Sequence, residues 1–381
     1  MSAPAVSYTL QVAGAPLDAE TLEAIRSVEV EDHAELADVA RLKLSAAVGG
    51  SDRNWTVIDD PICRRLTRLQ IGVRLGGGSP TPLIDAYVID VRAALGNEAG
   101  GSTVEIVAMD ATVLMDLQEK VRAWPDQSDS SVASTIFDEY GFDADVQDTG
   151  YVRQESDVTS IQRGTDMRFL RKLAERNGYE CFVDVGDDGR TTGHFRAPQL
   201  NQNSQTVLSV NLGTETTVDS FKVRYDMLSA TTAAASGIDA HDASTQPVQA
   251  PDSSECTLGG DSTIPSELPR TKLLPGTGLS RAGELQTLAQ ATVDRSAFAI
   301  TADGVVNAAA LGQVLKAKQP ATVRGAGTQF SGQYYVQRVL HRFEHGGYQM
   351  HVSLKRNASG LTHHENFKED DSLPSQPAVQ V

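Results

Sequence analysis

Gln162-Arg163-Gly164-Thr165-Asp166-Met167-Arg168-Phe169-Leu170-Arg171-Lys172-Leu173-Ala174-Glu175-Arg176-Asn177-Gly178-Tyr179 reads as one short helix with both of its ends encoded. Thr165 can accept a hydrogen bond from a backbone N–H of the first turn, and Asp166 complements the positive end of the helix dipole, together worth about 1–2 kcal/mol. Phe169, Leu170, Leu173 and Ala174 recur at helical spacing and form the face to be buried. Gly178 stands at the position after the last turn, where a left-handed residue lets the chain swing into a strand opening at Tyr179. Thr165, Asp166, Phe169, Leu170, Leu173, Gly178 and Tyr179 all have structural readings, and capping accounts for Asp166 without any catalytic role.

Around this helix lies a small α+β unit. Tyr179–Val185 and Thr191–Phe195 flank Gly186-Asp187-Asp188-Gly189, a good hairpin turn. Upstream, Ser131 is placed to cap a helix carrying Val132, Ile136 and Tyr140 and stopped by Gly141. The unit spans about 111–200.

On both sides the period changes to two. Val28-Glu29-Val30, Ala40–Leu44, Leu69–Leu75, Tyr87–Val91 and Val104–Val107 alternate as half-buried strands, giving a first β domain over 1–110. The pattern resumes at Phe221–Tyr225 and returns at Ala321-Thr322-Val323, Tyr334–Phe343 and Tyr348–Leu354, after a helix expected to be capped by Ser280. A second β domain therefore takes 201–229 and 280–358. The stretch 230–279 between its parts is rich in Ala, Ser, Thr, Pro and Asp, and reads as a flexible excursion without a core of its own. The polar tail 359–381 reads as unstructured when alone. Leu69–Ala111 and Ala321–Ala358 share the order strand, glycine loop, long strand, turn, strand, with Tyr87-Val88-x-x-Val91 matching Tyr335-Val336-x-x-Val339. Duplication explains this, and so does the general sameness of three-stranded meanders.

The segment Gln162–Tyr179 resembles the signature of the phage late-control protein D and VgrG N-terminal families, in which Thr/Ser-Asp followed by Phe-Leu opens a helix closed by Gly. The resemblance extends through Met109-Asp110, Arg122-Ala123-Trp124 and Tyr140-Gly141, and to Phe330–Val336 and His341. It implies an α+β, mostly β fold: two barrel-like domains flanking a small α/β insertion, assembled as a trimeric ring with pseudo-sixfold symmetry. It also implies a structural baseplate hub of a contractile phage tail-like particle, a symmetry adaptor between a hexameric inner tube and a trimeric spike. The implied partners are the chain itself as a homotrimer, an inner tube protein, a separate spike protein, baseplate wedge proteins, and tape measure or cargo. A separate spike is expected because VgrG chains continue into an OB-fold and a β-helical spike, and this sequence does not. The implied location is the cytoplasm during assembly and then the finished particle.

Composition agrees. Thirty-three Lys and Arg against fifty Asp and Glu give a formal charge of −17 over 381 residues. That acidity, with no basic stripe, argues against nucleic acid as a partner. No apolar run nears the roughly 20 residues of a spanning helix, so direct membrane insertion is not expected. Cys63, Cys181 and Cys256 are too scattered for a disulfide framework or a metal site.

The sharpest catalytic candidate is His341-Arg342-Phe343-Glu344-His345, the His-x-x-Glu-His pattern of inverted zinc proteases. It needs a helix, where residues four apart share a face. On a strand, positions four apart lie roughly 13 Å from each other and cannot share an ion. The surrounding Tyr335–Leu340 reads as a strand. No Gly-x-Ser-x-Gly elbow or phosphate-binding loop occurs, and His363-His364-Glu365 lacks further spaced ligands. The sequence thus implies no enzyme, cofactor or metal, with a zinc hydrolase and a stand-alone β-sandwich binding module as the alternative readings.

Overall fold

The structure is a computed structural model that describes residues 6–49, 54–55, 57–98, 100–155, 159–186, 188–238, 244–274, 282–344, 347–365 and 367. Its first part runs β1 (Val6–Val12), β2 (Ala15–Pro16), α1 (Ala19–Ala24), β3 (Ile25–His33), β4 (Val39–Ser45), β5 (Val48–Gly49), β6 (Asn54–Trp55), β7 (Arg68–Leu75), β8 (Thr81–Ala94) and β9 (Thr103–Asp110). Period-two alternation places these strands because one face is buried. Leu69, Ile71 and Val73 of β7 and Leu42 and Leu44 of β4 point into the core.

The middle part comprises α2 (Thr112–Met115), β10 (Lys120–Trp124), β11 (Gln127–Ser128), α3 (Asp129–Glu139), β12 (Asp143–Val146), β13 (Val152–Arg153), β14 (Ser160–Gly164), α4 (Asp166–Asn177), β15 (Glu180–Val185) and β16 (Thr191–Arg196). Helices α3 and α4 pack Ile136, Phe137, Leu170 and Leu173 with Phe195 of β16 into a core of their own. The N-cap of α3 is Ser128, whose hydroxyl accepts from the Ser131 N–H at 3.1 Å, so the expected cap at Ser131 moves one turn upstream. Ser131 is a good capping residue, but Ser128 stands where the chain is still extended, which is what a cap requires.

The last part holds β17 (Val207–Ser209), β18 (Val218–Tyr225), β19 (Thr232–Ile238), β20 (Thr245–Ala250), β21 (Asp261–Ser262), β22 (Thr271–Leu274), α5 (Ala282–Ala297), β23 (Ile300–Asn307), α6 (Ala308–Leu311), β24 (Pro320–Arg324), α7 (Gly327–Phe330), β25 (Gly332–Glu344), β26 (Gly347–Arg356) and β27 (Ala358–Ser359). Within 230–279, where no core was expected, β19 pairs with β20 and β22, and Ala233, Ala235, Val248 and Ala250 pack on Leu285, Ala289 and Val293 of α5. That core is built largely of alanine, which composition reads as linker. Ser280, the expected cap of α5, and residues 366 and 368–381 of the tail lie outside the described residues.

Thirteen strands form one sheet in the order β18-β23-β26-β25-β3-β4-β9-β8-β7-β1-β2, with β24 joining β25 and β17 joining β24. The molecule is mostly β, and this sheet is antiparallel apart from β17 with β24. It curls twice. The Tyr8 ring of β1 returns to within 5.6 Å of the Phe343 ring of β25, and a bridge between Val210 and Val218 brings the end of β17 back to β18. No strand ladder closes either curl into a barrel among the described residues. The two barrel-like domains expected from the sequence are joined through the pairing of β3 with β25.

The two curls repeat one another in detail. β8 bulges against β9 between Val88 and Asp90, and β25 bulges against β26 between Val336 and Arg338, in both cases just after the Tyr-Val pair. β3 bulges against β4 between Ile25 and Ser27, and β18 against β23 between Val218 and Ser220. Leu66 and Lys318 both sit in the left-handed region, at φ 58° and 68°. Leu66 donates its N–H to Val88 O and Lys318 donates its N–H to Val336 O, each at 2.8 Å. Alternating hydrophobicity does not demand such bulges and left-handed corners, so chance similarity of meanders no longer accounts for the match.

Candidate functional site

The most concentrated chemistry lies where the two curls and the middle unit meet. Val28, Val30 and Asp32 occupy successive inward positions of β3, so the third of them delivers a carboxylate to the core. Lys318, at its left-handed corner before β24, donates to Asp32 Oδ1 at 2.6 Å and to Asp38 Oδ2 at 2.9 Å. Asp38 N–H donates to Asp110 Oδ2 at 2.7 Å, and Asp38 Oδ1 accepts from the His33 N–H at 2.8 Å. Asp32 Oδ2 accepts from the Ala317 N–H at 2.7 Å, and Asp110 Oδ1 from the Thr112 N–H at 2.9 Å. The ammonium also lies 4.8 Å from the ring centre of Phe182 on β15, so the middle unit shares in the contact.

All four charged side chains are buried. Burial alone would lower the Lys318 pKa, but Asp32 and Asp38 outweigh it and hold the group charged, above the usual lysine range. Burial pushes the carboxyls of Asp38 and Asp110 up. Asp32 and Asp38 clamp the ammonium and Asp110 braces Asp38 through its backbone N–H, which makes an internal ion cluster. A cavity of about 260 Å³ opens beside it, reaching Asp184, Arg196 and Lys316. Among the described residues no group of three or more His, Cys, Asp or Glu is arranged to hold a metal ion.

His341 lies against the same cavity on β25. Its Nδ1 is 2.8 Å from the Tyr348 hydroxyl, and burial lowers its pKa to about 4, which keeps the ring neutral. The strand setting removes the helical face that the His-x-x-Glu-His reading requires. His345 lies outside the described residues.

The residues of Gln162–Tyr179 gather elsewhere, at α4. Thr165 caps the helix, accepting from the Arg168 N–H at 3.4 Å, and Gly178 closes it at φ 74°. Phe169, Leu170 and Leu173 are buried in the core of the middle unit, and Tyr179 sets its ring edge-on to Phe195 at 5.5 Å. Asp166 does more than cap: its carboxylate, 1% exposed, accepts from Lys120 Nζ and the Tyr140 hydroxyl, both at 2.6 Å, and from Gln162 Nε2 at 2.7 Å. Burial would raise its pKa, but these donors outweigh it and lower it. The helix is therefore pinned to β10, α3 and β14 by one carboxylate. Among the described residues no hydrogen bond or ion pair of Asp166 reaches the Lys318 cluster. Sequence reasoning missed that cluster, whose only local signal is an acid at an inward strand position.

No helix among the described residues is long and apolar enough to cross a membrane. No curated protein matches the chain. Among solved structures, it is similar to a 43 kDa tail protein of prophage MuSo2 from Shewanella oneidensis, with 13% identity and a TM-score of 0.65, over 93% of this chain and 99% of that one. A tail protein from Neisseria meningitidis MC58 matches at 10% identity and a TM-score of 0.63, over 92% and 97%. A chain of the Francisella PdpA–VgrG complex matches at 9% identity and a TM-score of 0.55, over 96% of this chain and 54% of that one. The resemblance read from Gln162–Tyr179 holds at the level of the fold, which is that of phage tail and VgrG-complex proteins. A family described as the Alg8 N-terminal domain matches residues 2–345, and the chain belongs to that family.

Proposed function

We propose that the chain is a structural, non-catalytic hub subunit of a contractile tail-like particle, a homotrimer that adapts a hexameric inner tube to a trimeric spike. The observation that carries this reading is the internal repeat. Two curls with matching bulges and matching left-handed corners give three chains six near-equivalent units, which is what a threefold body needs to face a sixfold tube. The likeness to tail and VgrG-complex structures supports the same reading. On it, 1–110 and 201–229 with 280–358 are the hub domains, 111–200 the insertion bearing the family signature, 230–279 an excursion and 359–381 a tail. The partners would be the tube, a separate spike, baseplate wedge proteins and tape measure or cargo, in a particle assembled in the cytoplasm.

Light scattering coupled to size exclusion tests it. The expected mass is that of three chains, for the protein alone or after mixing with its tube and spike proteins. A monomer indifferent to both would overturn the reading.

A further inference from the structure

The repeat has a consequence at the sheet edges. Bulge and register match β3 with β18, and β8 with β25, so residues 28 and 30 correspond to 221 and 223, and 339 and 341 to 91 and 93. Within the chain, β3 of the first curl pairs with the distal half of β25 of the second, Val28 opposite Phe343 and Val30 opposite His341. The corresponding strands, β18 of the second curl and the distal half of β8 of the first, do not meet each other. Among the described residues β18 has a ladder only with β23, and β8 loses its β7 neighbour beyond Tyr87. Each chain therefore carries two free edges whose counterparts are already joined to one another inside it.

We infer that these edges pair between chains: β18 of one copy adds to β8 of the next, in the register that β3 adopts on β25. This deepens the hub reading and rests on it. Transferring the register sets Phe221 opposite Leu95, Val223 opposite Ala93 and Tyr225 opposite Val91. All six residues are apolar, and they fall on the face that β3 and β25 turn inward. Phe221, Val223 and Tyr225 are half-buried against their own core, while Leu95 is 56% exposed. On the opposite face the same register sets Arg224 opposite Arg92 and Asp226 opposite Asp90, like charge against like, with Asp90–Arg224 and Arg92–Asp226 as diagonal neighbours of opposite sign, so the apolar face and the open backbone groups drive the pairing. Long unpaired edges flanked by apolar residues are what soluble chains normally blunt or cover, and a second copy covers both at once. Because each added chain repeats the same junction, one operation builds the assembly, and in the proposed homotrimer three such steps close it.

The test uses the full chain with Cys256→Ser, which removes the exposed thiol. Cysteines are placed at Ala93→Cys with Val223→Cys, and separately at Val91→Cys with Tyr225→Cys, then oxidised under conditions in which the wild type forms its oligomer. The expected result is a ladder ending at three linked chains for at least one pair. Ala93→Asp, at an exposed position, is expected to leave the thermal transition of the separated chain unchanged and to abolish the oligomer. If the wild type assembles while neither pair links and Ala93→Asp assembles normally, the edge pairing is wrong and the hub reading stands. If the wild type does not assemble even with tube and spike proteins, both fall.

Discussion

Strands β8 and β25 are built to one plan, each with a Tyr-Val pair, a bulge and a left-handed corner beside it, yet their surroundings diverge within a few residues. At the corner, Leu66 is half-buried, whereas Lys318 is buried and clamped by Asp32 and Asp38. Farther along, Ala93 is exposed while its counterpart His341 is 1% exposed beneath β3. The two strands thus share a backbone plan and differ in the side chains at the joint, where the second curl presents Lys318 and His341 to β3 and its neighbours.

Exchanging the corner residues should have the largest effect. Lys318→Leu leaves buried carboxylates without their cation and is expected to cost about 3–5 kcal/mol, whereas Leu66→Lys, with room for the ammonium to reach water, should cost no more than about 1 kcal/mol. Denaturant midpoints measure both, and Lys318→Leu combined with Asp38→Asn should regain part of the loss. Equal costs at the two corners would mean that the ion cluster does not hold the curls together.

The second contrast is one of pH. His341 has a folded-state pKa of about 4, below its unfolded value, so the unfolded chain binds the extra proton between those limits. Its contribution is complete above roughly pH 6.5 and is lost as the pH falls toward 4, a change of about 3 kcal/mol. Calorimetry across that window should show a shallower fall for His341→Gln, and substitution of Ala93 should leave the profile unchanged.

A smaller effect calibrates the corners themselves. Gly178 is left-handed at φ 74°, and a Cβ there would stand 3.2 Å from the Ala291 side chain. Gly178→Ala should therefore cost about 1–2 kcal/mol, a measure of backbone handedness plus crowding against which Leu66 and Lys318 can be judged. The smallest change expected is Thr165→Ala, about 1 kcal/mol for a lost cap, read from the thermal transition. It should not depend on which curl is altered alongside it.

Much of this architecture was legible in the sequence, because strands buried on one face declare themselves by alternation and α4 declares itself by Thr165 and Gly178. The hairpin of β15 and β16 and the resemblance of β7–β9 to β24–β26 were visible for the same reason. What escaped has a physical cause in each case. The Lys318 cluster joins residues more than 200 positions apart, so no local spacing marks it. The sheet of β19, β20 and β22 buries alanines, whose small side chains give composition little to register. The fusion of two curls into one sheet depends on β25 being paired along both edges, a property of neighbours and not of the strand's own residues.

That doubly flanked strand has a mechanical meaning. β25 lies against β26 from Tyr335 to Glu344 on one side, and against β24 over Gly332–Tyr335 and then β3 over Arg338–Phe343 on the other. A pull along the strand axis loads these transverse hydrogen bonds together, in shear, so none can fail until many do. A pull across the strand opens them one after another. The joint between the curls is therefore strong in one direction and weak in the other, so the direction from which a load arrives decides whether it holds.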